Sequence, residues 1–165
     1  MSLVLKLKTA FVRWRHGRGF GIHSPFAFHF VTEVLRQPYG YYAYQRLRGD
    51  DDSRVIFRVA LALRPSAVAL VGADRYRAAV AEAVPKARIS AAADADLIIV
   101  DAAAKPGFDL TPHAGKHVIV LNYHQSSTWP AYKAAMPAGM TFANATLAIS
   151  TAHPHLPRQD FEVKF

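Results

Sequence analysis

Ser66–Val84 reads SAVALVGADRYRAAVAEAV. Ala67–Val71 is small and apolar with no polar alternation, and Gly72 follows as a turn. Asp74–Val84 is alanine-rich, places Ala78, Ala79, Val80 and Ala83 on an inward face, and stops at Pro85. A buried strand that passes through a glycine into a helix is how an α/β nucleotide-binding half begins. The stretch therefore predicts an α/β fold with a mostly parallel sheet.

Two further runs downstream agree. Leu97–Val100 (LIIV) leads to Asp101, and His117–Leu121 (HVIVL) leads to Asn122, Tyr123 and His124. Runs without alternation are those of strands covered on both faces of a parallel sheet. A short strand is expected at Arg88–Ser90. SSTWPAYKAAM predicts a helix capped by Ser126 or Ser127 and broken at Pro137 and Gly139. The pattern then changes. Met140–Ser150 is rich in β-branched residues, and Gln159–Phe165 alternates with Phe161, Val163 and Phe165 on one face. These two stretches, joined by a connector with two prolines, are expected to form an antiparallel pair that closes the sheet. The sequon Asn144-Ala145-Thr146 falls inside the first of them and is discounted as a glycosylation site.

Upstream of Ser66 the chain reads as helical. Residues 2–15 have Leu3, Leu7, Ala10, Phe11 and Trp14 on one face and Lys6, Thr9 and Arg13 on the other. Gly17, Gly19 and Gly21 form a turn near Arg15, Arg18 and His23 that could hold an anion. Ser24 and Pro25 as helix cap and first residue account for the same segment without a ligand. Ala27, Phe30, Val31, Val34 and Leu35 recur at helical spacing. Tyr39, Tyr41, Tyr42 and Tyr44 with Arg46 and Arg48 could stack on bases or plug the edge of the core; the second needs no ligand. Three carboxylates, Asp50–Asp52, precede Ser53, the expected cap of a helix over Arg54–Leu63, where negative charge suits the helix N-terminus better than a cation site.

The 165 residues are expected to form a single domain, with residues 1–65 a helical segment and 66–165 the core. Apolar residues make up 52% and charged ones 19%, a globular balance. There is no cysteine, which excludes disulfides and thiolate metal sites and fits a cytoplasmic protein. His153 and His155 are the one close histidine pair, and no metal site is expected. No apolar run reaches the roughly 18 residues of a membrane-spanning helix. The net charge of +8 allows an anionic partner, nucleic acid or membrane surface, but it is dispersed and no nucleic-acid motif accompanies it.

The ordered set GIHSPFAF, VIFRVALALRPSAVALVGADR, DLIIVDAAA, VIVLNYHQSSTWPAYKAAM and TLAISTAHPHLPRQDFEVKF resembles class I S-adenosylmethionine-dependent methyltransferases, in particular a bacterial O-methyltransferase-like subgroup with an N-terminal GIHSPF signature. The resemblance covers most of the chain. It implies a Rossmann-like sheet whose last two strands form a reversed hairpin, and S-adenosylmethionine as cofactor. By position it implies Gly72, Asp74, Asp101 and Asn122 as cofactor-binding candidates, with Asp101 and His124 as catalytic candidates. His124 would serve as general base.

The departures from that pattern are as informative. A helix and a strand are missing between Pro85 and Asp96, so a reduced strand number is expected. Ala69–Val71 lacks the family's acidic residue. Its later loop glycines fall on Arg75, Tyr76 and Arg77, where side chains intrude on a ligand. No carboxylate follows Ile89, and an Asp-Asp pair falls near Asn122 and Tyr123. These losses favour a degenerate, non-catalytic methyltransferase-like protein without cofactor, which acts by binding a partner or ligand. An uncovered sheet edge would suit a homodimer. Two alternatives stand beside it: an active methyltransferase with an altered pocket, and a basic nucleic-acid or membrane-surface module using Lys6, Lys8, Arg13, Arg15 and Arg18.

Overall fold

The computed structural model describes residues 22–165. The expected helix over 2–15, the glycine turn after it and the five basic residues from Lys6 to Arg18 lie outside the described residues. The rest is built on one sheet in the order β2-β1-β3-β4-β6-β5-β7. Its strands are β1 (Ala67–Val71), β2 (Arg88–Ile89), β3 (Leu97–Asp101), β4 (His117–Leu121), β5 (Met140–Ala143), β6 (Leu147–Thr151) and β7 (Gln159–Glu162). β6 alone runs against its neighbours β4 and β5; every other pairing is parallel.

The sheet has seven strands, which corrects the expected reduced number. Asn144 supplies the difference. Its Oδ1 accepts from the backbone N–H groups of Thr146 and Leu147, both at 2.8 Å, and folds Met140–Ser150 into a hairpin of two strands. The antiparallel pair is therefore β5 and β6. The last stretch pairs parallel to β5 instead, as β7. The sequon lies at this turn rather than within a strand. Between β2 and β3 there is only a three-residue turn, Ala92–Asp94, with no helix and no further strand.

The alternation of side chains in β3 and β4 divides the interior into two layers. Leu97, Ile99, Ile119, Leu121 and Ile149 face one core; Ile98, Val100, Val118, Val120 and Ala148 face the other. The first core is covered by three helices. α1 (Pro25–His29) continues as a π-helical turn over Phe30–Leu35, α2 spans Asp51–Leu63 and α3 spans Arg77–Ala83. The second is covered by α4 (Trp129–Ala135) with Tyr123 and Leu110.

The local signals account for these elements, with three adjustments. Ser24 caps α1 through Ala27 N–H, and all five expected apolar residues of that helix are buried. α2 starts earlier than expected because Asp50, not Ser53, is its cap, accepting from Ser53 N–H at 2.7 Å. Asp74–Tyr76 forms a separate short turn before α3, and Ala78 is exposed while Ala79, Val80 and Ala83 are buried. Ser126 Oγ accepts from Trp129 N–H at the start of α4. No helix of the described residues is long and apolar enough to cross a membrane.

Candidate functional site

In the sheet order, the chain passes from β1 to β2 on one side and returns to β3 on the other side of β1. Ligands of open α/β sheets bind beyond the carboxyl ends of the strands at such a switch point. Gly72, Asp101 and Asn122 directly follow or end β1, β3 and β4, so the sequence places its candidates at this edge.

The edge is closed by the protein's own groups. Asp101 is 2% exposed. Its Oδ1 accepts from Asn122 Nδ2 at 2.8 Å and from Ala103 N–H at 3.0 Å, and its Oδ2 is 2.8 Å from Arg75 Nη2. One carboxylate thus ties the loop after β1 to the ends of β3 and β4. Asn122 reaches it from a left-handed backbone conformation, φ 52°, which asparagine tolerates better than most residues. The Asp101 carbonyl accepts from Ala104 and Lys105 N–H groups at 3.1 and 2.9 Å, which turns the chain back over β1.

That turn fills the place where glycine would admit a ligand. Gly72 has φ +65°, and a Cβ built on it would lie 2.9 Å from Ala104 Cβ and 3.1 Å from Lys105 Cγ. The sequence points to Arg75, Tyr76 and Arg77 as the obstruction; Arg77 instead pairs with the exposed Asp74 at 2.7 Å. Arg75 does fold back over the edge, onto Asp101. Tyr76 is a core residue, packed in the first layer, with its hydroxyl pushed up by burial. The guanidinium of Arg75 lies 4.9 Å from the Tyr76 ring centre, and hydrogen bonding to Tyr76, with the Asp101 carboxylate adding to it, favours its charged form. Ala104 and Lys105 were missed; a β3 followed by three alanines carries no local signal that its loop returns onto β1.

The other candidates are not assembled around this point. Asp74 is largely exposed and pairs with Arg77 at 2.7 Å. His124 is exposed in the turn Tyr123–Gln125, with its ring 3.9 Å from that of Tyr123. No hydrogen bond joins it to Asp101 or Asp74 among the described residues. No cluster of metal-ligating side chains occurs among the described residues.

The open space lies elsewhere. A cleft of about 630 Å³ is bounded by the end of the π-helical turn, the outer face of α2 and the tail after β7. A second concavity, at Ala93–Asp96 and Gly115–His117, sits at the amino ends of β3 and β4, opposite the switch point. The tyrosine cluster divides between two roles. Tyr41 and Tyr44 pack edge-on against Phe57, as a plug of the core, while Tyr39 and Tyr42 are about three-quarters exposed at 74% and 75%. No family model, curated protein or solved structure matches the chain.

Proposed function

We propose that this is a methyltransferase-like protein that binds rather than catalyses, with its ancestral cofactor cleft closed from within. The carrying observation is the Asp101 carboxylate, whose oxygens are taken by Arg75, Asn122 and Ala103 N–H. The packing of Ala104 and Lys105 against Gly72 supports the same reading. A cofactor at that edge would have to break the Arg75–Asp101 ion pair and displace a loop held by two backbone hydrogen bonds. Because the Arg75 side chain is 43% exposed, breaking the pair costs about 1–2 kcal/mol, which alone would weaken a ligand about 5–30-fold. The right-hand side of the sheet also supports an ancestry in that family, since β5 and β6 make a reversed hairpin; the added edge strand β7 departs from it.

Titration calorimetry with S-adenosylmethionine and S-adenosylhomocysteine tests the proposal. It expects no binding of either at millimolar concentration. Micromolar binding that is lost in Asp101→Ala would instead support an active enzyme with an altered pocket.

A further inference from the structure

The 630 Å³ cleft is lined by Arg36, Arg54, Arg58 and Lys164, with Asp51 as its single acidic side chain. Its volume lies in the range of small-ligand sites, about 300–1,000 Å³. Arg58 is locked into its wall. Nε donates to the Val34 carbonyl at 2.6 Å, Nη2 to the Leu35 carbonyl at 2.8 Å and Nη1 to the Tyr44 hydroxyl at 3.0 Å. All three partners are neutral, so a fixed positive charge stands in the wall with no carboxylate against it. One turn earlier on the same face of α2, Arg54 lies 5.7 Å from the Tyr44 ring centre and 3.4 Å from Asp51. Asp51 is 95% exposed, and such a surface pair is readily exchanged for a better anion. Lys164 has no ion-pair partner among the described residues.

From this arrangement we infer that the cleft binds a phosphorylated small molecule carrying a planar ring, the chemistry of a mononucleotide. A concavity in which basic side chains outnumber acidic ones concentrates anions, and guanidinium forks match phosphate oxygens in pairs. The ring is assigned to Tyr39, which lines the cleft with its own ring unpacked and exposed; exposed aromatic faces stack on planar ligands. A single-stranded nucleic acid would need the positive charge to continue along a track. Among the described residues it does not: Arg46 reaches both oxygens of Glu82, at 3.4 and 3.3 Å, and Arg48 pairs at 3.1 Å with Asp50, which is itself fixed as the cap of α2. The cleft is separate from the switch point, and either assignment stands if the other fails.

The test is calorimetry or ligand-observed NMR on the full chain with adenosine 5′-monophosphate, ribose 5-phosphate, inorganic phosphate and an oligouridylate. The monophosphate is expected to bind. Arg54→Ala and Lys164→Ala should each weaken it about tenfold, the worth of one charge-assisted hydrogen bond. Tyr39→Ala should weaken it about fivefold or more while leaving ribose 5-phosphate unchanged. Arg88→Ala, on β2, should have no effect. Lys164 lies on the tail, so its variant tests the cleft even if a change in α2 disturbs folding. The inference is overturned by absence of monophosphate binding at millimolar concentration, by binding indifferent to Arg54 and Lys164, or by equal affinity for inorganic phosphate. Tighter, steeply salt-dependent binding of the oligouridylate would overturn it in favour of a polymer surface.

Discussion

Asp101 joins three strand ends through one side chain, and its worth to the fold can be measured at the residues that hold it. Arg75→Ala removes the one cation against a buried carboxylate among the described residues. The loss is less than for a fully buried pair, because the Arg75 side chain is 43% exposed and Asn122 and Ala103 N–H remain. A destabilisation of about 1–2 kcal/mol is expected in urea unfolding. In an Asp101→Asn background the same change should cost much less; equal costs in both backgrounds would show that the pair contributes nothing. Gly72→Ala faces two penalties, about 1 kcal/mol for a left-handed backbone and a further 1–2 kcal/mol for contact with Ala104. Ala104→Gly added to it should recover the second part only. At this scale the sequence was partly informative. It put Gly72, Asp101 and Asn122 at one edge because each directly follows or ends an apolar run. It could not show that Arg75 turns toward Asp101 or that Ala104 fills the space above Gly72, since both depend on how loops from different strands meet.

Among the elements, β3 and β4 were legible because every residue of LIIV and most of HVIVL is buried, leaving no polar alternation to misread. The closing strands were less so. Met140–Ser150 looks continuous by β propensity, and only the side chain of Asn144, bonding two backbone N–H groups ahead of it, breaks it into β5 and β6. The entry to β5 depends on Gly139, at φ +107°, where a Cβ would collide with the carbonyl oxygen of Thr151. Gly139→Ala is expected to cost more than about 3 kcal/mol; a thermal midpoint within a few degrees of the parent would contradict the assigned β5–β6 register. α4 is fastened to the sheet by the fully buried Tyr132, whose hydroxyl lies 2.8 Å from Ser150 Oγ and 3.1 Å from the Lys116 carbonyl. Burial pushes that hydroxyl up to about 12, so it remains a neutral donor across the working pH range. Tyr132→Phe should cost about 1–2 kcal/mol by calorimetric melting, through the hydrogen bonds it removes.

For the molecule as a whole, acid sensitivity follows from the histidines. Burial lowers His117 below its ordinary value of 6.5, with His153 adding to the effect, and His117 Nδ1 is buried without a hydrogen-bond partner. Burial lowers His113 in the same direction. The folded state thus prefers both neutral, and the unfolded chain takes up protons first as pH falls. Stability is full above about pH 6.5 and declines below it. The carboxylates held below their ordinary 3.8, Asp50 and Asp160 among them, lose their contribution only in a lower range. Urea midpoints measured from pH 7.5 to 5 should fall, and His117→Asn should flatten the decline; a midpoint that rises on acidification would contradict this. The α/β class was readable from three apolar runs and one glycine. At the edge where such folds bind ligands, the sequence shows Arg75, Tyr76 and Arg77 following Gly72 and Asp74, and the structure adds Asp101 occupied by the protein's own donors. The measurement that bears most directly on that closure is titration of the full chain with S-adenosylmethionine, alongside Arg75→Ala. The parent should show no binding at millimolar concentration, and Arg75→Ala should show none either, because Ala104 and Lys105 still cover Gly72. Micromolar binding by the parent chain would contradict the account.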